Sequence, residues 1–200
     1  MQIFNQTPLI IKETARGLQS VRIEDELLKS REIFLVEPVT SDSMNSLMKQ
    51  LMFLNKEDPD KEITLYINSP GGEVTSGLAV YDYMKMMKAP IRTVCTGMAA
   101  SMGSILFLAG DKREMLPHTE IMIHDPSYGN ASMSGAKPAE IAEHLTALKK
   151  TQKVLCEIIA EATGKSLKSV RSKTRRDSFF KAEEALEFGL ATRIINSLEE

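Results

Sequence analysis

Cysteine is nearly absent from this chain: Cys95 and Cys156 are the only two among 200 residues. Neither belongs to a CxxC pair, and no Cys/His cluster surrounds them, which argues against a disulfide scaffold and a structural zinc site. Cys95 ends an apolar run and Cys156 falls in a helical pattern, so both read as small buried hydrophobes, a bridge between them being the alternative. Charge of one sign is lacking too. Lys and Arg number 25 against 27 acids, leaving a net charge of −2. Without a basic excess, nucleic acid and anionic membrane are not expected as partners. No apolar run approaches a membrane span, and the first residues lack a basic segment followed by an apolar one. A cytoplasmic protein without cofactor or metal is the expectation.

What is present is an ordinary globular composition, 42% hydrophobic and 26% charged, enough for one domain with a real core. The run 33–36 reads as a buried strand, followed by a helix over 40–55 whose apolar positions Met44, Leu47, Met48, Leu51, Met52 and Leu54 share a face. Thr40 or Ser41 can cap its start. The cycle then repeats: strand 63–67, a turn at 68–72, helix 75–88; strand 91–95, a break at Gly97, helix 99–109; strand 120–124. A Gly/Ser/Asn-rich loop over 127–138 leads to a long helix over 139–163. Two shorter helices, from Ser166 and over 182–188, precede a last strand over 191–195. Strands alternating with helices predict an α/β fold with mainly parallel strands. Residues 1–27 have little core pattern of their own.

Three features could carry chemistry. Ser101 stands among small residues in Gly97-Met-Ala-Ala-Ser-Met-Gly103, after a strand and at a predicted helix start, where free N–H groups favour an oxyanion. A serine there could equally be a helix cap. Asn68-Ser-Pro-Gly-Gly72 also follows a strand, and its glycines free the backbone to aim N–H groups into a site. Of the three histidines, His144 reads as a surface residue of the long helix and His118 as a loop residue. His124 ends a strand at the carboxyl edge, where sites form in parallel sheets, and is the best general base. A triad's third member cannot be chosen by chemistry among 27 acids. Asp125 is expected to point to the other strand face, and Asp177 lies beside Arg175 and Arg176.

The segments Leu65-Tyr-Ile-Asn-Ser-Pro-Gly-Gly72, Gly97 to Gly103, Ile121-Met-Ile-His124 with Pro126, and Arg176-Asp177 before Glu184-Ala-Leu-Glu-Phe-Gly-Leu190 resemble the Clp protease proteolytic subunit. The similarity runs from about Ile10 to Ile195. It implies a single-domain crotonase-like α/β fold of repeated ββα units, with an axial segment at 1–27 and a catalytic domain at 28–200 whose handle covers about 125–163. It implies a serine endopeptidase with Ser101, His124 and Asp177 as triad and the amides of Gly72 and Met102 as oxyanion hole. Heptameric rings stacked as a tetradecamer, or mixed rings with a paralogous subunit, would receive unfolded polypeptides from an AAA+ unfoldase. Tyr66 and Met86 become candidates for the unfoldase pocket, and Arg176 for a contact between subunits.

The chain also departs from that family. Asp125-Pro-Ser-Tyr-Gly129 replaces the usual Gln-Pro-Leu-Gly-Gly, and the stretch to the long helix is longer. Met98 replaces Gln, Thr64 and Met86 stand at usually aromatic positions, and Val21-Arg-Ile-Glu24 replaces an aromatic-rich stretch. Two other readings use the same sequence: a crotonase-like enzyme acting on acyl-CoA, and a non-catalytic subunit of a mixed ring.

Overall fold

A computed structural model describes residues 8–15, 17–128 and 135–197. The parts of the axial-segment reading on 1–7 and 16, and of the loop reading on 129–134, lie outside these described residues.

The sheet grows from buried apolar runs. Strands β3 (Glu32–Leu35), β4 (Ile63–Ser69) and β5 (Ile91–Ala100) lie side by side and parallel, continued by β6 (Lys112–Met115) and β9 (Arg193–Ile194). Ile33, Leu35, Ile63, Leu65 and Ile67 bury one face of it. Helix α2 (Ser41–Glu57) lays Met44, Leu47, Leu51 and Leu54 into the core. Its start is fixed by a reciprocal cap, in which the Ser43 amide donates to the Thr40 hydroxyl and the Thr40 amide to Ser43 Oγ, satisfying N–H groups that the first turn leaves over. Met52, one step off that stripe, is exposed. Helices α3 (Val74–Met86), α4 (Met102–Leu108) and α5 (Pro138–Thr163) complete the layer.

Strand β5 departs from the expected strand–break–helix order. The expected helix over 99–109 begins only at Met102, because the strand continues through Gly97 to Ala100. The register against β4 jumps between Ile67–Cys95 and Ser69–Ala99, a bulge that bends the strand. Gly97 marks where it bends: a Cβ there would collide with the Asn68 side chain, whose Oδ1 accepts the Met98 amide at 3.0 Å. Beyond the bulge β5 changes neighbour. Its first half pairs with β6, and Met98–Ala100 pair with β7 (Glu120–Ile123), also parallel.

Strand β7 pairs on its other side, antiparallel, with β8 (Ser178–Lys181). Neither β6 nor β8 was expected; each is four residues long and too short to show a period. Helix α6 (Leu167–Thr174), capped by Ser166, and α7 (Ala182–Phe188), stopped by left-handed Gly189, flank β8. The segment read as lacking core pattern forms a hairpin of β1 (Leu9–Thr14) and β2 (Gly17–Arg22) followed by α1 (Ile23–Lys29). None of α1's residues is buried, which is why no core pattern is visible; the expected boundary at 27/28 falls inside that helix. Among the described residues no helix is long and apolar enough to cross a membrane.

Candidate active site

The fork in β5 places three chain segments at one carboxyl edge. Ser101 follows the last residue of β5, and its amide donates to the Met122 carbonyl on β7 at 2.9 Å. Its backbone, at φ 52° and ψ −121°, is the turn from strand into α4. Such a conformation is sparsely populated for a residue with a Cβ. Ser101 makes no side-chain cap to α4. Its carbonyl instead accepts from the Ser104 amide at 3.0 Å and from Ser104 Oγ at 2.7 Å.

His124 immediately follows β7. Its Nε2 lies 2.8 Å from Ser101 Oγ, and its Nδ1 lies 3.1 Å from Asp177 Oδ1. Asp177 precedes β8, so the antiparallel pairing of Ile123 with Ser178 brings these neighbours face to face. The histidine side chain is 27% exposed and the aspartate 63% exposed in the single chain. The three residues expected far apart in sequence therefore form one continuous hydrogen-bonded line. Asp125 takes no part in it; its Oδ2 accepts from Gln152 Nε2 on α5 at 2.6 Å. His118 sits in a turn before β7. His144, on α5, accepts a hydrogen bond at its carbonyl from the Tyr128 hydroxyl, and the two rings meet edge to face at 5.0 Å.

The glycine turn packs against this line. Val39 grips it from behind: its amide donates to the Gly71 carbonyl at 2.8 Å, and its carbonyl accepts the Glu73 amide at 2.8 Å. Strand alternation then sends the Gly72 N–H to the opposite side. Gly71, at φ +84°, admits no side chain, since a Cβ would stand 2.5 Å from the Ala100 carbonyl oxygen and 2.7 Å from the Met102 nitrogen. Met102 is the first residue of α4, so its N–H has no intrahelical acceptor. Gly72, Met102, Ser101 and His124 all line one cavity of about 480 Å³. Its apolar wall comes from Val74, Ile105, Leu155 and Ile159, and its rim includes Pro126 and Tyr128. Leu155, Ile159 and Tyr128 were not anticipated as site residues; only their apolar character was visible.

The other expected contact residues lie elsewhere. Pairing across β3, β4, β5 and β6 aligns Phe34, Tyr66, Val94 and Glu114 on the sheet face away from α2. Tyr66 stacks on Phe34 with ring centroids 5.0 Å apart and donates its hydroxyl to Glu32 at 2.8 Å. Burial, then the adjacent Glu32 carboxylate, push its phenol up to about 12. Met86 ends α3 on a separate element and is exposed. Arg176 is exposed in a basic groove with Lys168, Arg171, Lys173 and Arg175, beside Asp177. Cys95 is buried, and desolvation pushes its thiol up, away from the reactive thiolate. Among the described residues no group of three or more His, Cys, Asp or Glu is placed to hold a metal ion.

A one-domain α/β chain with a mostly parallel sheet, carrying a serine–histidine–aspartate line and a glycine turn at one edge, has the architecture of an acyl-transfer hydrolase. The chain belongs to the Clp protease family, whose model, described as Clp protease, matches residues 15–198. It is thus a peptidase of the Clp type with the crotonase-like fold.

Proposed function

We propose that this chain is the serine endopeptidase subunit of a barrel-shaped, self-compartmentalising protease, cutting unfolded polypeptides delivered by an ATP-dependent AAA+ unfoldase. The observation that carries the reading is the unbroken spacing from Ser101 Oγ through His124 to Asp177, 2.8 and 3.1 Å. In this reading Asp177 accepts from Nδ1–H, which leaves Nε2 free to accept the Ser101 proton. Ser101 Oγ attacks the scissile carbonyl, and the oxygen anion that forms is met by the amides of Gly72 and Met102. His124 then gives its proton to the leaving amine, so that an acyl-enzyme remains on Ser101. A water activated by the same imidazole releases the acid and regenerates the serine. The cavity beside Ser101, walled by Ile105, Leu155 and Ile159, would hold a side chain of the extended substrate.

The assembly belongs to the same proposal. The 1–27 segment would stand at the axial entry, and the region 125–163 would form the handle between rings, with Arg176 at a subunit contact. Tyr66 and Met86 would lie on the surface that grips the unfoldase. The altered turn after His124 fits mixed rings with a paralogous subunit as well as rings of this chain alone. Family membership is the support for rings, unfoldase and an intracellular site of action.

The test is covalent. The purified protein, alone and with any companion subunit, is treated with a fluorophosphonate and the modified residue is found by mass spectrometry. Labelling at Ser101 is expected, and His124→Ala should slow it by roughly 10³-fold or more. Absence of label at Ser101 in the assembled protein, or full-speed labelling of His124→Ala, overturns the reading. Sedimentation at heptamer or tetradecamer mass tests the assembly.

A further inference from the structure

Asp125, the residue after the proposed base, is bonded in a way that the triad does not require. Its amide donates to the Thr174 carbonyl at 2.6 Å. Its Oδ2 accepts from Gln152 Nε2, also at 2.6 Å. Its Oδ1 is buried and has no hydrogen-bond partner among the described residues. A buried acceptor left unsatisfied lowers stability, which offsets part of what the bond from Gln152 contributes to folding.

The position of Asp125 matters to the site. The β7–β8 ladder ends at the rung Ile123–Ser178, so His124 and Asp177 both lie beyond the last rung. Residues beyond the last rung have no ladder partner, so the contacts of the residue that follows bear on where they stand. What comes next is the bond from Asp125 to Thr174, the final residue of α6 and just upstream of Asp177. Pro126 confines the backbone of Asp125 to extended conformations and lines the cavity. Gln152 belongs to α5, the helix whose Leu155 and Ile159 wall that cavity. Asp125 therefore pins the end of the base strand to the approach to Asp177 through its amide, and to the wall of the site through its carboxylate.

We propose that Asp125 is a positioning residue for peptide hydrolysis, acting with Gln152 to hold His124 at its distance from Asp177 and Ser101. This rests on the triad reading above. The role needs a hydrogen-bond acceptor at Oδ2, and needs no negative charge. Displacing a catalytic group by about 1 Å can cost about 10²-fold in rate, and a loosened strand end produces displacements of that kind.

The experiment uses the full chain in its assembled form, with a companion subunit if labelling needs one. Asp125→Ala, Asp125→Asn, Gln152→Ala and the double alanine variant are compared for kcat and KM on a short fluorogenic peptide, and for the rate of Ser101 labelling. Asp125→Ala is expected to lower kcat and labelling by roughly 10–100-fold while KM stays within about twofold. Asp125→Asn keeps an acceptor for Gln152 and should recover to within about threefold of the parent. Gln152→Ala should fall as well, and the double variant should lose no more than the worse single one. A parent-like kcat in Asp125→Ala, or an Asn variant no better than Ala, overturns the proposal. If Asp125→Ala does not assemble, Gln152→Ala, which leaves β7 and its turn untouched, decides it: unchanged kcat there overturns the proposal too. A parent chain that never labels at Ser101 overturns the triad reading and this role with it; normal labelling that ignores Asp125 and Gln152 overturns this role alone.

Discussion

Among the described residues only Arg31 and Ser101 combine a side chain with positive φ. Arg31 is anchored in that conformation by its guanidinium, which donates to the carbonyls of Asp58, Lys61 and Glu62. Ser101 has the Met122 carbonyl at its amide and Gly71 packed against it. That contact makes Gly71 the most exacting position of the site. Gly71→Ala pushes a methyl group into the Ala100 carbonyl and the Met102 amide, neither of which can move without moving Ser101. Labelling of Ser101 should fall below detection, and a urea titration should show a loss of at least about 1 kcal/mol. Asp177 is the opposite case, exposed in the single chain. Asp177→Asn should preserve folding and lower kcat by about 10²–10⁴-fold, by presenting the wrong hydrogen-bonding group to Nδ1; an unchanged kcat would show that another group orients the imidazole. Ser101 and His124 were legible as candidates, the first for its small neighbours at an expected helix start and the second because it stands where a strand stops. Asp177 was legible only through the resemblance, since its place depends on the antiparallel register of β8, and four residues carry no readable register.

At the scale of elements, α2 shows what periodicity reads well. Its apolar stripe, its cap and its burial coincide, so Leu51→Ala should cost about 2–5 kcal/mol in a urea titration without changing the chemistry of Ser101. Strand β5 shows what periodicity misses. Gly97 reads locally as a breaker and Ala99-Ala100 as helix formers, yet β4 and β7 hydrogen-bond this stretch from both sides. Tertiary pairing outweighs propensity, and the glycine is needed to seat a neighbour's side chain. Asn68→Ala removes the acceptor for the Met98 amide. It should destabilise the protein by about 0.5–1.5 kcal/mol and slow Ser101 labelling, because the bulge sets the direction in which β5 reaches the site. The N-terminal hairpin was illegible for a different reason. Leu9, Ile11 and Leu18 are exposed, so its pattern follows strand pairing and not burial.

For the whole molecule, the two sheet faces serve different ends. One is closed over by helices. The other carries the Tyr66 row, with the Arg92 side chain donating to Glu114 at 2.7 Å in a nearly buried pair. Tyr66 gives this face an alkaline signature. Its phenol titrates near 10 when unfolded and at about 12 when folded, so the folded state favours the protonated form. That contribution is complete below pH 10 and is lost as pH rises through about 12. Melting temperature should therefore fall more steeply across this window in the parent than in Tyr66→Phe, although the variant starts lower for want of the bond to Glu32. Equal slopes would show that the phenol is not held in its protonated form.

The antiparallel seam between β7 and β8 also imposes a timetable on the growing chain. Synthesis delivers Ser101 first, His124 next and Asp177 later, after two intervening helices. Until β8 zips onto β7, a partly made chain holds the Ser101 hydroxyl and the His124 imidazole without the Asp177 carboxylate beside them. On the proposed triad, no cutting edge would form before β7 and β8 pair, which would spare neighbouring chains on the ribosome.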